Sequence, residues 1–455
     1  MRPIPPKPKS RGEKTTLIRY MRAFRQDILS AQPQKLYRAW MAEFRTPFFR
    51  SFLINQPDLI EEVLKRSPDE FPKSERISEG LRPLLGNSVF LTNGDVWKKQ
   101  RRIIDPAFEG GRLRDTFPAM QDACNDARDR IAENSAQEME EATSFAAADI
   151  IFRTLFSIPI SHHIASEVFT LFRTYQRNQP LLNVAAFIPL PRWMPRFHRK
   201  STKETARKIR SLIATLVDER AQDIQMGKAP NDLATKIMTM TDPETGERFS
   251  KSEMVDQVAI FFLAGHETSA SAMAWALYLL AKNPTDQARI YDEIQSVAGD
   301  RELEFSDISK LRYTRDVFRE TLRLYPPVPM MVREAACPQE FRKREVPTGS
   351  QIVISPWHVQ RHERLWDNPD GFDPDRFKTE NGKACLRDAF IPFSAGPRVC
   401  TGAGFAMIEG VLLLATLVRA LEFKPVEGRT PVPVAHLTVR AKDGIWLRVK
   451  PRTRE

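Results

Sequence analysis

Residues 250–280 constrain the fold more than any other stretch. Their middle, Val258-Ala259-Ile260-Phe261-Phe262-Leu263-Ala264-Gly265, is apolar around the whole helical circumference, so a helix here runs through an interior and not along a surface. The 455 residues hold no Gly/Ser-rich linker, repeat or low-complexity tract. One large compact unit is therefore preferred over the two or three domains that such a length allows. Directly after the apolar run come His266-Glu267-Thr268-Ser269, and polar groups in a buried helix are costly unless hydrogen bonds or a task offset them. Thr268 shares a face with Ala264 and Gly265, where its hydroxyl can bond the carbonyl four residues back and loosen the helix ladder. From the helix alone, a back-bonded Thr and a Glu at a wet face is the simpler reading.

A second segment, Phe393-Ser394-Ala395-Gly396-Pro397-Arg398-Val399-Cys400-Thr401-Gly402, sets one cysteine in a Pro- and Gly-punctuated turn ahead of an apolar helical stretch, residues 403–421. Turn amides and the positive end of that helix are expected to favour a thiolate at Cys400. Gly396 and Gly402 are expected to carry positive φ and to let a flat partner approach. Arg398 places a fixed cation two residues from the sulfur, suited to an anionic substituent of a cofactor. Taken alone, a lone cysteine in an intracellular protein is more often a small core hydrophobe.

Four scattered cysteines (Cys124, Cys337, Cys385, Cys400) without a CxxC pair argue against a disulfide framework, a zinc site or an iron–sulfur cluster, and fit a reducing compartment. Residues 1–16 are rich in Pro, Lys and Arg and lack the apolar core of a signal peptide or membrane span. A flexible basic tail ahead of a domain over 17–455 is expected, with a cytoplasmic location, no transmembrane anchor and a monomeric state. Net charge of +11 suits nucleic acid, an anionic surface or an acidic protein. No recognition helix, zinc finger or aromatic–basic stripe supports nucleic acid, so an acidic partner is the more economical reading.

Helical periodicity dominates the remainder. Helices are predicted over 58–65, from 94, over 116–131, 146–158, 164–175 and 202–225, and from Asn283-Pro284 and Ser306-Asp307, the first of these two with a capping residue and a first-turn proline. Extended segments are expected at 47–54 and 351–357 and a hairpin at 437–445, giving a mainly α fold with small β-sheets. Residues 81–91 read as an apolar loop, 228–247 as a polar excursion, and the Pro-rich 187–195 as a lid over an apolar cavity. Trp97 and Arg101, four apart, share a helix face where an indole N–H and a guanidinium can both donate to a carboxylate; core packing and a solvated charge explain them as well. Lys98, Lys99 and Arg102 form a candidate patch for an acidic donor, although such a run is more often a wet helix face.

The pattern Phe-x-x-Gly-x-Arg-x-Cys-x-Gly at 393–402 resembles the haem-binding loop of the cytochrome P-450 superfamily. Three other motifs resemble the same family, in the right order: Trp97-x-x-x-Arg101, Ala-Gly-x-Glu-Thr-Ser at 264–269, and Glu320-x-x-Arg323 followed by Arg376 in Pro374-Asp375-Arg376-Phe377. The resemblance covers about residues 85–450, with Glu in place of Asp before Thr268 and Asp375 in the last motif as small departures. It implies a cytochrome P-450 fold, a single large domain with heme b (iron protoporphyrin IX) buried between the long central helix and the cysteine loop. Cys400 is then the metal ligand, whose electron donation favours O–O cleavage. Trp97, Arg101, Arg333, Arg398, Phe393 and Gly265 are implied as cofactor-binding residues, with Gly265 leaving room over the metal. Thr268 and Glu267 are implied as the catalytic alcohol and acid, and Glu320, Arg323 and Arg376 as a structural lock.

The implied activity is that of a haem-thiolate monooxygenase. It inserts one atom of O2 into an apolar small-molecule substrate, with NAD(P)H-derived electrons reaching it through an acidic ferredoxin or flavodoxin and its reductase. Phe261, Phe262, Val328, Met330, Met331 and Leu437 are candidate pocket residues. A peroxide-driven peroxygenase or a hydroperoxide-rearranging enzyme on the same fold is the alternative, counted against by the Glu267/Thr268 pair. A haem-thiolate sensor is the non-enzymatic one.

Overall fold

A computed structural model describes residues 3–13, 15–45, 50–178, 200–435 and 437–452. In chain order they form α1 (Leu17–Gln26), β1 (Met41–Arg45), β2 (Arg50–Ile54), α2 (Pro57–Lys65), α3 (Glu75–Leu85), α4 (Gly94–Ile104), α5 (Gly110–Ala132), β3 (Ala136–Glu138), α6 (Met139–Phe156), α7 (His163–Asn178), α8 (Lys200–Gln225), α9 (Leu233–Thr239) and α10 (Lys251–Lys282). There follow α11 (Pro284–Ala298), α12 (Arg312–Leu324), β4 (Met331–Glu334), β5 (Gln339–Phe341), β6 (Arg344–Val346), β7 (Gln351–Ile354), α13 (Pro356–Val359), α14 (Glu380–Asp388) and α15 (Ala403–Ala420). The strands β8 (Leu421–Pro425), β9 (Pro433–Ala435), β10 (Val439–Ala441) and β11 (Trp446–Pro451) close the chain.

The interior helix is α10. It starts on a capping box, in which Ser250 Oγ accepts from Glu253 N (3.3 Å) and the Glu253 carboxylate accepts from Ser250 N (2.8 Å). Helix α6 runs along it, and α3, α8, α12, α15 and β8 cover its other sides, so its apolar circumference is buried except around Phe261, Ala264 and Gly265. Helix α15 is also long and apolar enough to cross a membrane by length and composition. Here its apolar surface is matched by α5, α10, α11 and α12, against which it packs.

One four-stranded sheet, in the order β1-β2-β7-β4, flanks the helices; β2 and β7 run parallel and the other pairs antiparallel. Pairing of Arg333 with Ile352 fixes the register of β4. A smaller apolar cluster, with Phe52, Ile54, Ile60, Leu64 and Phe71, joins this sheet to α2 and reaches Ile391 ahead of the cysteine loop.

The loop's approach is held by the expected lock. Glu320 and Arg323 are fully buried and Arg376 is 5% exposed. Arg323 Nε and Nη2 donate to the two Glu320 oxygens (2.7 and 2.8 Å), and Arg376 Nε donates to Oε1 (3.0 Å). The remaining guanidinium protons go to the carbonyls of Gln360, Asp367, Asn368, Pro369 and Gly371. Two guanidinium groups share one carboxylate, and backbone carbonyls offset the second positive charge with hydrogen bonds, as a buried ionic group needs.

Several expectations are corrected. The tail is not loose over residues 3–13: Lys7 pairs with Asp370 (2.6 Å) over the Tyr37 ring, Tyr325 donates to Pro6 O (2.8 Å), and Pro5 and Pro8 are buried. Prolines lose little entropy on ordering, so a Pro-rich strap settles cheaply. Residues 81–85 complete α3, and the loop begins at Gly86, where Asp256 and Gln257 of α10 accept from Asn87 N (2.7 Å) and Val89 N (2.9 Å). The polar excursion contains α9, whose Leu233, Ala234 and Ile237 are buried.

Ser306-Asp307 opens only a 3-10 turn, and α12 starts at Arg312. Asn283 precedes α11 but its amide donates to Leu279 O (2.7 Å) and does not cap. The strand at 351–357 stops at Ile354, before Pro356. The terminal hairpin pairs β10 with β9, upstream of the expected 437–445 segment. The lid at 187–195 and residues 47–49 lie outside the described residues.

Candidate active site

The cysteine loop closes on itself where Cys400 N donates to Phe393 O (2.9 Å), and α15 begins as Ala403 N and Ala406 N reach Cys400 O (3.2 Å) and Gly402 O (2.8 Å). Positive φ falls on Ser394 and Gly396 (64° and 67°), whereas Gly402 sits at −86°, so that glycine is not used as expected. At Gly396 a Cβ would stand 2.4 Å from Leu64 O, because the loop rests on the end of α2. The Phe393 ring packs partly buried against the main core.

Cys400 retains accessible surface, yet protein replaces enough of its hydration that burial pushes the thiol pKa up, opposed by the Gly402 amide, Arg101 and Lys73. The loop alone therefore does not make the expected thiolate. A bound metal would, since a coordinating thiol is deprotonated outright. Among the described residues no group of three or more His, Cys, Asp or Glu could hold a metal ion, so a metal at Cys400 has to bring its other ligands with it.

Four cations converge here from separate elements: Lys73 between α2 and α3, Arg101 on α4, Arg333 on β4, and Arg398 in the loop. Lys73 and Arg333 form a backbone bridge. Arg398 lies over the Trp97 ring (4.3 Å) and donates to Thr92 O (3.0 Å) and Asn93 Oδ1 (2.7 Å). Arg101 donates to Val399 O and to Asp105 (both 2.7 Å), and Asp105 also accepts from Thr401 Oγ1 (3.1 Å). Arg333 is 4% exposed and donates only to Val332 O (3.1 Å) among the hydrogen bonds described.

The buried Nε atoms of both Arg333 and Arg398 have no partner. Burial pushes Arg333 down to about 10, and burial followed by repulsion from Arg333 and Arg101 pushes Arg398 down to about 9. The Lys73 pKa falls well below its ordinary value by burial and then by the three arginines. Gathering four cations around a single carboxylate, Asp105 on Arg101, is uphill, so the cluster fits a ligand that carries more than one negative charge. The two propionates of a porphyrin are such a ligand. No local pattern marks Lys73 in the sequence; only the fold brings it in.

On α10, Ala264 is exposed although it lies midway along a buried helix, and Thr268 is part-exposed. The Thr268 hydroxyl bonds Ala264 O, as the spacing predicts. Gly265 serves another purpose than expected: a Cβ there would come within 2.5 Å of Ile151 Cδ1, so the glycine lets α6 approach α10. Glu267 is buried, with both oxygens occupied by Gln176, Thr438 and Arg440.

Phe262 packs into α6 and α7, with its ring centroid 4.2 Å from Phe152, and Phe261 packs on Phe108. These contacts account for both rings as interhelical packing. Met330 and Met331 pack on the two cores, while Leu437 is exposed. On α4 the expected docking cations are largely paired within the chain: Arg102 with Asp242 and Glu244, Lys99 with Glu247, Lys98 with Asp69.

A mainly helical single domain with a buried, polar-interrupted central helix and a cysteine loop at which cations outnumber carboxylates defines a narrow class of cofactor enzymes. A family model for Cytochrome P450 matches residues 27–448. The chain is 31% identical over 395 residues to cyclooctat-9-en-7-ol 5-monooxygenase of Streptomyces melanosporofaciens, covering 86% of this chain and 84% of the relative. It is 30% identical to human cytochrome P450 4F12 (93% and 84% covered) and 29% identical to cytokinin hydroxylase of Arabidopsis thaliana (88% and 78%). A crystal structure of a cytochrome P450 (CYP102L1) superposes with a TM-score of 0.80 at 25% identity, covering 92% of this chain and 96% of that one.

The chain belongs to the cytochrome P450 family. It is an oxidoreductase of the monooxygenase and hydroxylase type that its relatives' names record, and haem is the cofactor that the family implies.

Proposed function

We propose that the protein inserts one atom of O2 into an unactivated C–H bond of an apolar organic substrate, using electrons from a separate redox partner. The observation that carries this reading is the buried, partnerless Nε of Arg333 and Arg398 beside Cys400. Cys400 Sγ would ligate the haem iron, with Phe393 flanking the loop. Arg333, Arg398, Arg101, Trp97 and Lys73 would hold the propionates. When bound, the haem supplies dioxygen activation and the oxidising power for C–H attack.

The chain's own residues then bind, orient and move protons. Ala264 keeps the α10 face low, so that a substrate can lie against it. Thr268 Oγ1, tethered to Ala264 O, holds a hydroxyl proton at that face, and Glu267 is the acid that replenishes it. A relative named for oxidising cyclooctat-9-en-7-ol and the apolar character of Ala264, Val328 and Leu437 support a hydrocarbon-rich substrate.

Excess positive charge of +11 supports an acidic ferredoxin or flavodoxin with its NAD(P)H reductase as donor. Lys98, Lys99 and Arg102 each pair with a carboxylate of the chain, which leaves less free charge on α4 for such a donor. Four free, scattered cysteines support a cytoplasmic, reducing location.

The test is spectroscopic. Cys400→Ser should abolish the long-wavelength carbon-monoxide band of the reduced haem protein, and retention of that band would refute the ligand assignment. Product formed with hydrogen peroxide but never with NAD(P)H and a redox chain would favour the peroxygenase alternative.

A further inference from the structure

Asn93 stands at the N-cap of α4, where an asparagine ordinarily accepts from an amide of the first helical turn. Here it makes no such bond. Its Oδ1 accepts instead from Lys73 N (3.0 Å) and Arg398 Nη2 (2.7 Å), and its Nδ2 donates to Lys73 O (3.1 Å). Only this orientation of the amide satisfies all three partners, because two N–H groups meet the oxygen and a carbonyl meets the nitrogen. The partners lie 20 and 305 residues away in the chain, so no local pattern announces the arrangement.

Both partner residues belong to the cation cluster beside Cys400. The paired bonds to Lys73 N and O fix its backbone, which also bridges that of Arg333. From there the Lys73 ammonium reaches Phe90, donating to its carbonyl (2.6 Å) and lying over its ring (3.6 Å). That uses one of three ammonium protons. The Arg398 guanidinium is held between the Trp97 ring, Thr92 O and Asn93 Oδ1, which leaves its buried Nε without a partner. One side chain thus sets two of the four cations directly and a third through the backbone bridge.

An asparagine that served only its own loop or helix would bond to neighbouring backbone groups. The loop has other fastenings: Asp256 and Gln257 accept from Asn87 N and Val89 N, and Gln100 donates to Asn87 O (2.6 Å). Helix α4 goes without its cap. The three bonds of Asn93 therefore serve the cations. An amide suits this place where a carboxylate would not, since it accepts from Arg398 without cancelling the positive charge.

We propose that Asn93 is a positioning residue for the cofactor, holding Lys73 and Arg398 in register so that their remaining N–H groups meet the two propionates of the haem. This rests on the haem reading given above.

The experiment compares Asn93→Ser, Asn93→Asp, Arg398→Gln and the Asn93→Ser/Arg398→Gln double variant as haem-loaded enzymes. Transfer to apomyoglobin reads the rate of haem loss, and spectroelectrochemistry reads the ferric–ferrous potential. Serine can cap α4 but is too short to reach Lys73 and Arg398, so Asn93→Ser should speed transfer about tenfold, the effect of one charge-assisted hydrogen bond. Asn93→Asp keeps both accepting contacts and adds a negative charge; it should speed transfer about threefold or more and lower the potential. A role in fastening the loop predicts the reverse for aspartate: a capped helix, retained contacts, and haem held as in the wild type. In the Arg398→Gln background Asn93→Ser should speed transfer only about threefold, because one of the cations it places is gone. Transfer from both Asn93 variants within about twofold of the wild type would overturn the proposal and leave the haem reading standing. Fast loss from Asn93→Ser beside wild-type rate and potential in Asn93→Asp would overturn it too, as would additive effects of Asn93→Ser and Arg398→Gln. A wild-type protein that takes up no haem would overturn the reading itself.

Discussion

Glu409 is the most exacting test of how the two central helices meet. It lies on α15, 2% exposed, and accepts from Ser269 Oγ (2.7 Å) of α10 through Oε2, while Oε1 is buried without a partner. Burial, only partly opposed by the Ser269 bond, pushes its pKa from 4.5 up to about 8. The native protein therefore keeps a proton that the unfolded chain releases. This carboxyl consequently subtracts stability as pH rises from about 4.5 to about 8, and subtracts no more beyond. At about 1.36 kcal/mol per pKa unit the ceiling is about 5 kcal/mol, and relaxation around a buried ion lowers the expected effect to about 2–4 kcal/mol.

Glu409→Gln keeps the shape and the bond to Ser269, leaves one buried polar atom partnerless as before, and cannot ionise. Its advantage over the wild type should be near zero at pH 4.5, grow steadily, and level off above pH 8. Urea unfolding of both proteins at half-unit pH steps reads this directly, as the difference in midpoint multiplied by the slope. A difference that stays flat with pH, or that favours the wild type above pH 6, would refute the buried neutral carboxyl.

Arg333→Gln and Arg398→Gln should each weaken haem retention about 10- to 100-fold, as loss of a charge-assisted hydrogen bond worth about 1.5–3 kcal/mol. Haem transfer to apomyoglobin measures this, and unchanged transfer rates would remove the cation cluster as the anchor. Gly265→Ala should fail to give the gain of about 1 kcal/mol that alanine otherwise brings to a helix interior, because its Cβ meets Ile151 Cδ1. Adding Ile151→Val, which deletes that methyl, should let the gain appear in the urea midpoint relative to Ile151→Val alone. Its absence there would mean that Gly265 serves the cofactor side after all.

The chemistry-bearing motifs were legible in the sequence because each is local. The apolar circumference of 258–265 demanded an interior helix, the cysteine turn ahead of an apolar helix resembled a family's ligand loop, and Glu320-x-x-Arg323 placed two charges on one helix face. What the sequence could not decide is how those helices are rotated and what approaches them from afar. Helical spacing puts Gly265 and Thr268 on neighbouring sides, but only the approach of α6 shows that the glycine makes room for Ile151 while Ala264 takes the open face.

The same limit applies to charge. Lys98, Lys99 and Arg102 read as free cations until Asp69, Asp242 and Glu247 arrive from distant segments to pair them, and Lys73 and Arg440 carry no motif at all. The turn amide and nearby cations do favour a Cys400 thiolate, yet tertiary burial outweighs them and raises the thiol pKa. Spacing along a chain determines which groups share a local face. Desolvation and long-range contact, which determine charge and partner, belong to the packed three-dimensional structure alone.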